Sequence, residues 1–444
     1  MYRTRVLHMI DTLSVGGAEK LVVGIVNSIP EVEHHIIYLA GSDALLKYLP
    51  SNCKVTRLNF RSRFDIPRCI LKVNGYIKKN RIQVIHTHLF MSTFIARLAA
   101  PSNVRIFTTI HNLSSKNYFA RSKTVKFLEK TTYRKQHHII AICHEVLADY
   151  ENCVGVKGPY SVLYNFVDDV FHRNDYKRLK DKKNLKLVAV GNLKKGKNYS
   201  YLIEAFKQMP PEISLDIYGS GALKDELQQA IDTFQLNIKL CGNQENIQTI
   251  LPAYDAFVMS SVFEGQPLAL LEAMASGLPA ILSDIAVLRE VVNNEAVFFD
   301  LDNPADFVYK IKEIQSGRID LDSVANAGFK RVKEIALKEN YMQRLYKIYT
   351  STGVYRKETF EPILSTPVFR NIPVGLNAIS VEKNYRTSSS REHFTFSFVS
   401  FFFSGYILSI KLLYGIRKEE NSFRNTFFFY GRCRKGFSTY FKFY

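Results

Sequence analysis

Residues 254–283 read Tyr254-Asp-Ala-Phe-Val-Met-Ser-Ser-Val-Phe-Glu-Gly-Gln-Pro-Leu-Ala-Leu-Leu-Glu-Ala-Met-Ala-Ser-Gly-Leu-Pro-Ala-Ile-Leu-Ser283. A short apolar run, Ala256 to Met259, predicts a buried strand. Pro267 suits the first position of a helix, where its missing N–H costs nothing. Gly277 and Pro279 predict a left-handed cap and a stop. A second apolar run, Ala280 to Leu282, predicts the next strand. A strand, a Gly-containing loop and a helix N-terminus form an anion- or polyol-binding corner, because free N–H groups and the helix dipole face the ligand. Glu264 lies in the loop and Glu272 on the helix, with seven residues between them. An ionised carboxylate accepts two strong hydrogen bonds from neighbouring hydroxyls. From Pro267 to Glu272 the helix rises about 7–8 Å, so the two carboxylates can serve two separate polyols, such as a sugar and a ribose.

The same alternation runs outward in both directions. Upstream, strands are predicted at Arg5–Ile10, His34–Leu39, Val84–His88, Arg105–Ile110 and His138–Ile142, with helices after Gly16-Gly17 and over Ser92–Ala100. A Lys-rich linker over Asn174–Asn184 follows. A second series then begins at Leu185–Val190 and continues through Leu215–Tyr218, Ile238–Leu240, Ala256–Met259, Ala280–Leu282 and Ala296–Phe299. Strands separated by helical segments predict parallel sheets covered on both faces. The fold class is α/β: two doubly wound Rossmann-like domains facing across a cleft, followed by an irregular, Phe-rich tail. The expected boundaries are 1–170, 171–334 and 353–444, with a final helix in 335–352. Ligands of such sheets bind outside the carboxyl ends of the strands.

The chain of 444 residues carries a net charge of +19. That excess favours an anionic partner, either a phosphate-bearing substrate or an anionic membrane face. No helix-turn-helix, RNA-recognition or Cys/His-finger pattern is present, so nucleic acid is not an expected partner. The six cysteines form no CxxC pair, which argues against a structural zinc site and a disulfide framework. Val6–Ile10 is too short an apolar run for a secretory signal. In the tail, Phe394 to Ile410 is uncharged, at the short edge of a membrane span. A membrane-contacting segment, an aberrant extension and a folded extra domain all remain open there.

Further positions carry chemistry. Gly191-Asn-Leu-Lys-Lys-Gly-Lys-Asn198 follows one strand and precedes a helix, which places Lys197 within reach of a phosphate at that helix N-terminus. Gly16-Gly17 allows close backbone approach to a phosphate. It is not GxGxxG, and neither is Gly219-Ser-Gly221, so dinucleotide binding is poorly supported. His86 and His88 end one strand and His111 follows the next. His111 is the candidate reactive histidine. His86 and His88 form a possible metal pair without an evident third ligand, so no metal site is expected. Asp300-Leu-Asp302 has a DxD form but precedes Asn303-Pro304 and reads as a turn.

These residues resemble retaining glycosyltransferases of family 4, which have the GT-B fold. The resemblance covers about residues 5 to 351. It is strongest over 185–292, in Val190-Gly-Asn-Leu193, Lys197-Asn198, Leu202-Ile-Glu-Ala-Phe206 and Glu264-Gly-Gln-Pro267 through Pro279. It implies that Glu264 binds the donor sugar, Glu272 the nucleotide ribose and Lys197 the diphosphate. Gly16 and Gly17 would lie near the diphosphate and acceptor, and His111 would contact the transferred sugar. Asn192, Gly265, Gln266, Pro267 and Leu268 complete the expected donor site. Asn192 departs from the arginine many members carry there, which implies weaker charge compensation. Asn165-Phe-Val-Asp168 replaces the usual Asn-Gly-Val-Asp at the domain junction, and the resemblance implies that the final helix, within 335–351, crosses back onto the first domain.

The implied reaction moves a sugar from a nucleotide-diphosphate sugar to a glycan acceptor, in cell-surface polysaccharide synthesis. Neither metal nor cofactor is expected. The positive charge fits a lipid-linked acceptor and an anionic membrane surface, so the expected location is cytoplasmic, peripheral at the inner face of the cell membrane. Two alternatives are a catalytically inactive homologue acting as a binding partner and a nucleotide-sugar epimerase. The epimerase would need catalytic carboxylates in the first domain, where no convincing set is found.

Overall fold

A computed structural model describes residues 3–116, 122–173 and 183–351, and the backbone of four strands between 381 and 433. Most of the Lys-rich linker, 174–182, lies outside the described residues. The chain divides into two compact units, 1–358 and 359–444.

The first unit contains two parallel sheets. β1 (Thr4–Ile10), β2 (Val32–Tyr38), β3 (Lys54–Arg57), β4 (Val84–His88), β5 (Arg105–Ile110), β6 (His138–Ala141) and β7 (Tyr160–Val162) pair in the order β3-β2-β1-β4-β5-β6-β7. β8 (Lys186–Val190), β9 (Ser214–Tyr218), β10 (Ile238–Gly242), β11 (Ala256–Met259), β12 (Ala280–Ser283) and β13 (Val297–Phe299) pair as β10-β9-β8-β11-β12-β13. In each sheet the order reverses beside its first strand, between β1 and β4 and between β8 and β11. That reversal opens a crevice at the carboxyl ends.

Alternation along the strands builds both faces. Val6 packs with Leu21, Ile25, Phe107 and Leu345, while Leu7 packs with Val73, Ile77 and Ile95. In the second sheet Leu187 and Ala189 face the helix Tyr199–Phe206, and Val188 faces Leu270 and Met274. Apolar residues facing both ways are the signature of a sheet buried on both sides. Val146 and Leu147 from the first half share one core cluster with Leu270, Leu288 and Val291 from the second. The last helix, Lys338–Thr350, buries Tyr341, Met342, Leu345, Ile348 and Tyr349 against the first sheet.

Pro267 is the N-cap rather than the first helical residue: its ψ of 115° is extended, and the helix runs Leu268–Ala275. Gly277 takes φ +78°, as its capping role requires. Asp302 N donates to Asp300 Oδ1 at 2.9 Å, so the DxD stretch is a side-chain-closed turn.

The second unit holds an antiparallel sheet, β14 (Val381–Glu382), β15 (His393–Phe403), β16 (Tyr406–Glu419) and β17 (Ser422–Cys433), in that order. The uncharged run Phe394–Ile410 thus spans two strands. Among the described residues no helix is long and apolar enough to cross a membrane.

Candidate functional site

The loops after β8 and β11 meet at the second sheet's crevice. Lys197 Nζ donates to Glu264 Oε1 at 2.7 Å, and Ser261 Oγ donates to the same oxygen at 2.6 Å. Ser260 Oγ donates to the carbonyls of Lys197 and Asn198, and Val262 N donates to Gly196 O. Asn198 has φ +53°, a left-handed turn that carries the chain from the lysine loop into the next helix. Neither partner of the ion pair is more than 14% exposed. The candidate phosphate cation and the candidate sugar carboxylate therefore neutralise each other. Asn192 is exposed on the same loop, outside this contact.

The Glu264 loop also presses on the first half. A Cβ at Gly265 would stand 2.3 Å from the His111 carbonyl oxygen, closer than any real contact, so only glycine fits. Asn165 N donates to Gln266 Oε1, and Asn165 Nδ2 donates to Gln266 O at 3.3 Å. Gly17, which opens the helix Gly17–Ser28, faces Leu268 across the cleft, 3.6 Å from its Cδ1 to a Cβ built at Gly17. At Gly16 a Cβ would meet Glu19 Oε2 at 2.3 Å; glycine there lets the Glu19 carboxylate fold over the helix start, where it accepts from Thr12 Oγ1 at 2.9 Å. Burial raises the pKa of Glu272; the Lys20 cation opposes the shift and Asp168 adds to it. Lys20 and Glu272 come from opposite halves, so the cleft brings together charges that 252 positions of sequence separate.

Sequence reasoning missed Glu290. Its carboxylate accepts from the His144 and Glu145 backbone N–H groups at 2.7 and 2.8 Å, and from Tyr164 OH at 2.6 Å. A glutamate of the second half thus caps the N-terminus of helix His144–Cys153 in the first, where the helix dipole favours negative charge. No motif around Glu290 signals this.

Behind His111 lies a buried polar seam. His88 Nδ1 and His111 Nε2 are 3.0 Å apart, His8 Nε2 and His34 Nδ1 3.1 Å, and His34 Nε2 is 3.0 Å from Ile29 O. His86 bonds Tyr349 OH and Thr109 Oγ1. The parallel register sets His8 beside His86, which supplies the third histidine that the sequence left unassigned. His8, His86 and His88 can bring ring nitrogens within 4.8 Å of one another. All three rings are buried, and the leading influences on their titration are burial and other histidines. The same burial holds the pKa of His86 at about 3 and of His111 at about 4, with His8 and His88 also well below the ordinary value. The seam is therefore neutral at pH 7.

A family model described as Glycosyltransferase Family 4 matches residues 15–171, and one described as Glycosyl transferases group 1 matches residues 171–331. The chain belongs to this glycosyltransferase family. It is 30% identical over 255 residues to an Escherichia coli UDP-Gal:alpha-D-GlcNAc-diphosphoundecaprenol alpha-1,3-galactosyltransferase, a match covering 51% of this chain and 64% of that one. It is 27% identical over 294 residues to a Campylobacter jejuni N-acetylgalactosamine-N,N'-diacetylbacillosaminyl-diphospho-undecaprenol 4-alpha-N-acetylgalactosaminyltransferase, covering 62% and 79%. The chain thus spans less than two thirds of the E. coli relative's length. The Anabaena protein HepE, solved in complex with UDP-glucose, superposes with a TM-score of 0.66 at 15% identity, over 78% of this chain and 99% of HepE. That likeness establishes the GT-B fold.

Proposed function

We propose that this protein transfers a sugar from a nucleotide-diphosphate sugar to a lipid-linked glycan acceptor, with retained anomeric configuration. The observation that carries the reading is the Lys197–Glu264 pair at the crevice of the second sheet, 2.7 Å apart and shielded. Donor binding exchanges partners: Lys197 turns to the diphosphate and Glu264 is released to accept hydrogen bonds from the sugar hydroxyls. Glu272, at the second turn of the helix that opens at this crevice, accepts from the ribose. Lys197 and the helix N-termini then stabilise negative charge developing on the leaving diphosphate, an electrostatic contribution that needs no reorganisation. Attack from the leaving-group face, with a phosphate oxygen taking the acceptor proton, gives retention without a side-chain nucleophile. Trapping a covalent glycosyl–protein adduct would exclude that route.

Relatives named for diphospho-undecaprenol acceptors support a lipid-linked acceptor, and the +19 charge supports a peripheral position at an anionic membrane face on the cytoplasmic side. The test is release of nucleoside diphosphate from a panel of nucleotide sugars, with and without membrane lipid extract. Lipid-stimulated release from one donor is expected. Nucleotide binding with no release from any donor would sink the transferase reading.

A further inference from the structure

We propose that His88, backed by His8 and His34, is a positioning residue that fixes the tautomer of His111, making its Nδ1 a hydrogen-bond acceptor for a sugar hydroxyl. The functional half of this statement rests on the reading above; the tautomer does not.

The argument is a count of protons along the seam. A carbonyl oxygen only accepts, so the 3.0 Å contact with Ile29 O makes His34 Nε2 the donor. His34 is neutral, with its pKa held at about 4 by burial, so its Nδ1 is a lone pair. The contact with that lone pair makes His8 Nε2 the donor, and the neutral His8 ring keeps a lone pair on Nδ1. Each step follows from the imidazole inventory of one donor and one acceptor.

The chain then reaches two buried atoms with no hydrogen-bond partner among the described residues, His8 Nδ1 and His88 Nε2. Their rings lie 6.0 Å apart between centroids and nearly parallel, at 22°. A buried polar atom left unmatched costs about 1–3 kcal/mol. Since His8 Nδ1 is a lone pair, the two atoms can satisfy each other without a water that donates to both only when His88 Nε2 carries the proton. His88 Nδ1 is then a lone pair, and the 3.0 Å contact makes His111 Nε2 its donor. Every N–H along these four rings points inward, from His111 through His88, His8 and His34 to Ile29 O. His111 alone of the four is partly exposed, on the edge of a cavity it shares with Leu89, Phe90, Thr93 and Asn112. Its free ring nitrogen is Nδ1, an acceptor, suited to a hydroxyl and unsuited to a phosphate oxygen, which would need a donor.

The main test needs no substitution. Histidine-selective 15N labelling of the full chain, read through long-range proton–nitrogen correlations at pH 7.5, reports which ring nitrogen carries each proton. His111, His88, His8 and His34 are all expected as Nε2–H tautomers. His111 protonated on Nδ1 would overturn the proposal. So would His88 unprotonated on Nε2, the pattern a cation between the rings would require. In the His88→Leu variant, His111 is expected to lose its single tautomer and transfer to fall about tenfold, as for loss of an orienting partner, with nucleotide affinity within twofold of wild type. His88→Gln is expected to restore both, because its amide oxygen accepts from His111 while its N–H faces His8. Failure of that rescue, in a variant that binds nucleotide normally, would reduce His88 to packing. If no donor is ever turned over, the tautomer measurement still decides the positioning claim.

Discussion

Lowering the pH from 7.5 to 6.0 is expected to cost this fold much of its stability, through buried histidines rather than surface charge. His34, His111 and His138 have pKa values held at about 4 by burial, and His86 and His137 at about 3. His8 and His88 are also well below 6.5. For each group the folded pKa lies below the unfolded one, so the unfolded chain binds protons first and stability falls as the pH drops through 6.5. Between pH 7.5 and 6.0 an unfolded histidine gains about 0.8 kcal/mol of protonation free energy that the folded one does not. These seven groups together give about 5 kcal/mol, comparable with the whole stability of many domains. Asp11, Glu19, Glu145 and Glu272 act in the opposite sense, because burial raises their pKa and the fold takes their protons first. They restore stability only as the pH falls toward their own titration. Urea unfolding at closely spaced pH values measures the balance as protons taken up. At pH 6.5 each unfolded histidine is half protonated, so about three to four protons are expected. An uptake below about one proton at that pH would refute the account, since it would mean the histidines are not held neutral.

Three other outcomes follow from geometry. Gly265→Ala is expected to keep nucleotide affinity but lose transfer by about 100-fold, because its Cβ would stand 2.3 Å from the His111 carbonyl and displace the sugar-side loop; wild-type turnover would show that the halves need not close this tightly. Glu264→Ala is expected to abolish transfer while nucleotide binding survives, whereas Lys197→Ala weakens both; calorimetry with nucleoside diphosphate separates them. Arg97 and Glu129 pair at 2.8 Å, both nearly inaccessible, and Tyr150 OH also donates to Glu129. Either single change to leucine is expected to cost about 3–5 kcal/mol and the double change much less, which a double-mutant denaturation cycle would check.

Several of the short apolar runs were readable because Gly or Pro stands beside them, as Gly191 does after Val190 and Pro279 before Ala280, and the Glu264–Glu272 spacing survives as a loop and a helix. Lys197 was readable from its place before a helix, but its pairing with Glu264 was not, since two separate loops must meet. β3 and β7 escaped notice as strands of four and three residues at the two edges of their sheet, too short to show a period. The helix Ile66–Lys79 was missed too: Pro67 resembles a break but sits in its first turn, where proline is tolerated. Most of the histidine seam was hidden because strand register, not spacing along the chain, sets His8 beside His86. Glu290 was invisible for the same reason, its partners lying in the other half of the protein.

The closing helix carries a consequence for biosynthesis. Tyr349 hydrogen-bonds His86 across 263 positions of sequence and fills the same cluster as Val6 and Leu21. The first half therefore leaves the ribosome with one flank of its sheet uncovered, and waits while the whole of the second half is made. At a synthesis rate of about 5–20 residues per second, the roughly 190 residues between β7 and Tyr349 take about 10–40 s. During that interval the second sheet can form and bury its own core, and the half translated first is the last to be completed. A nascent chain released before Tyr349 would expose that apolar flank and become a substrate for chaperones.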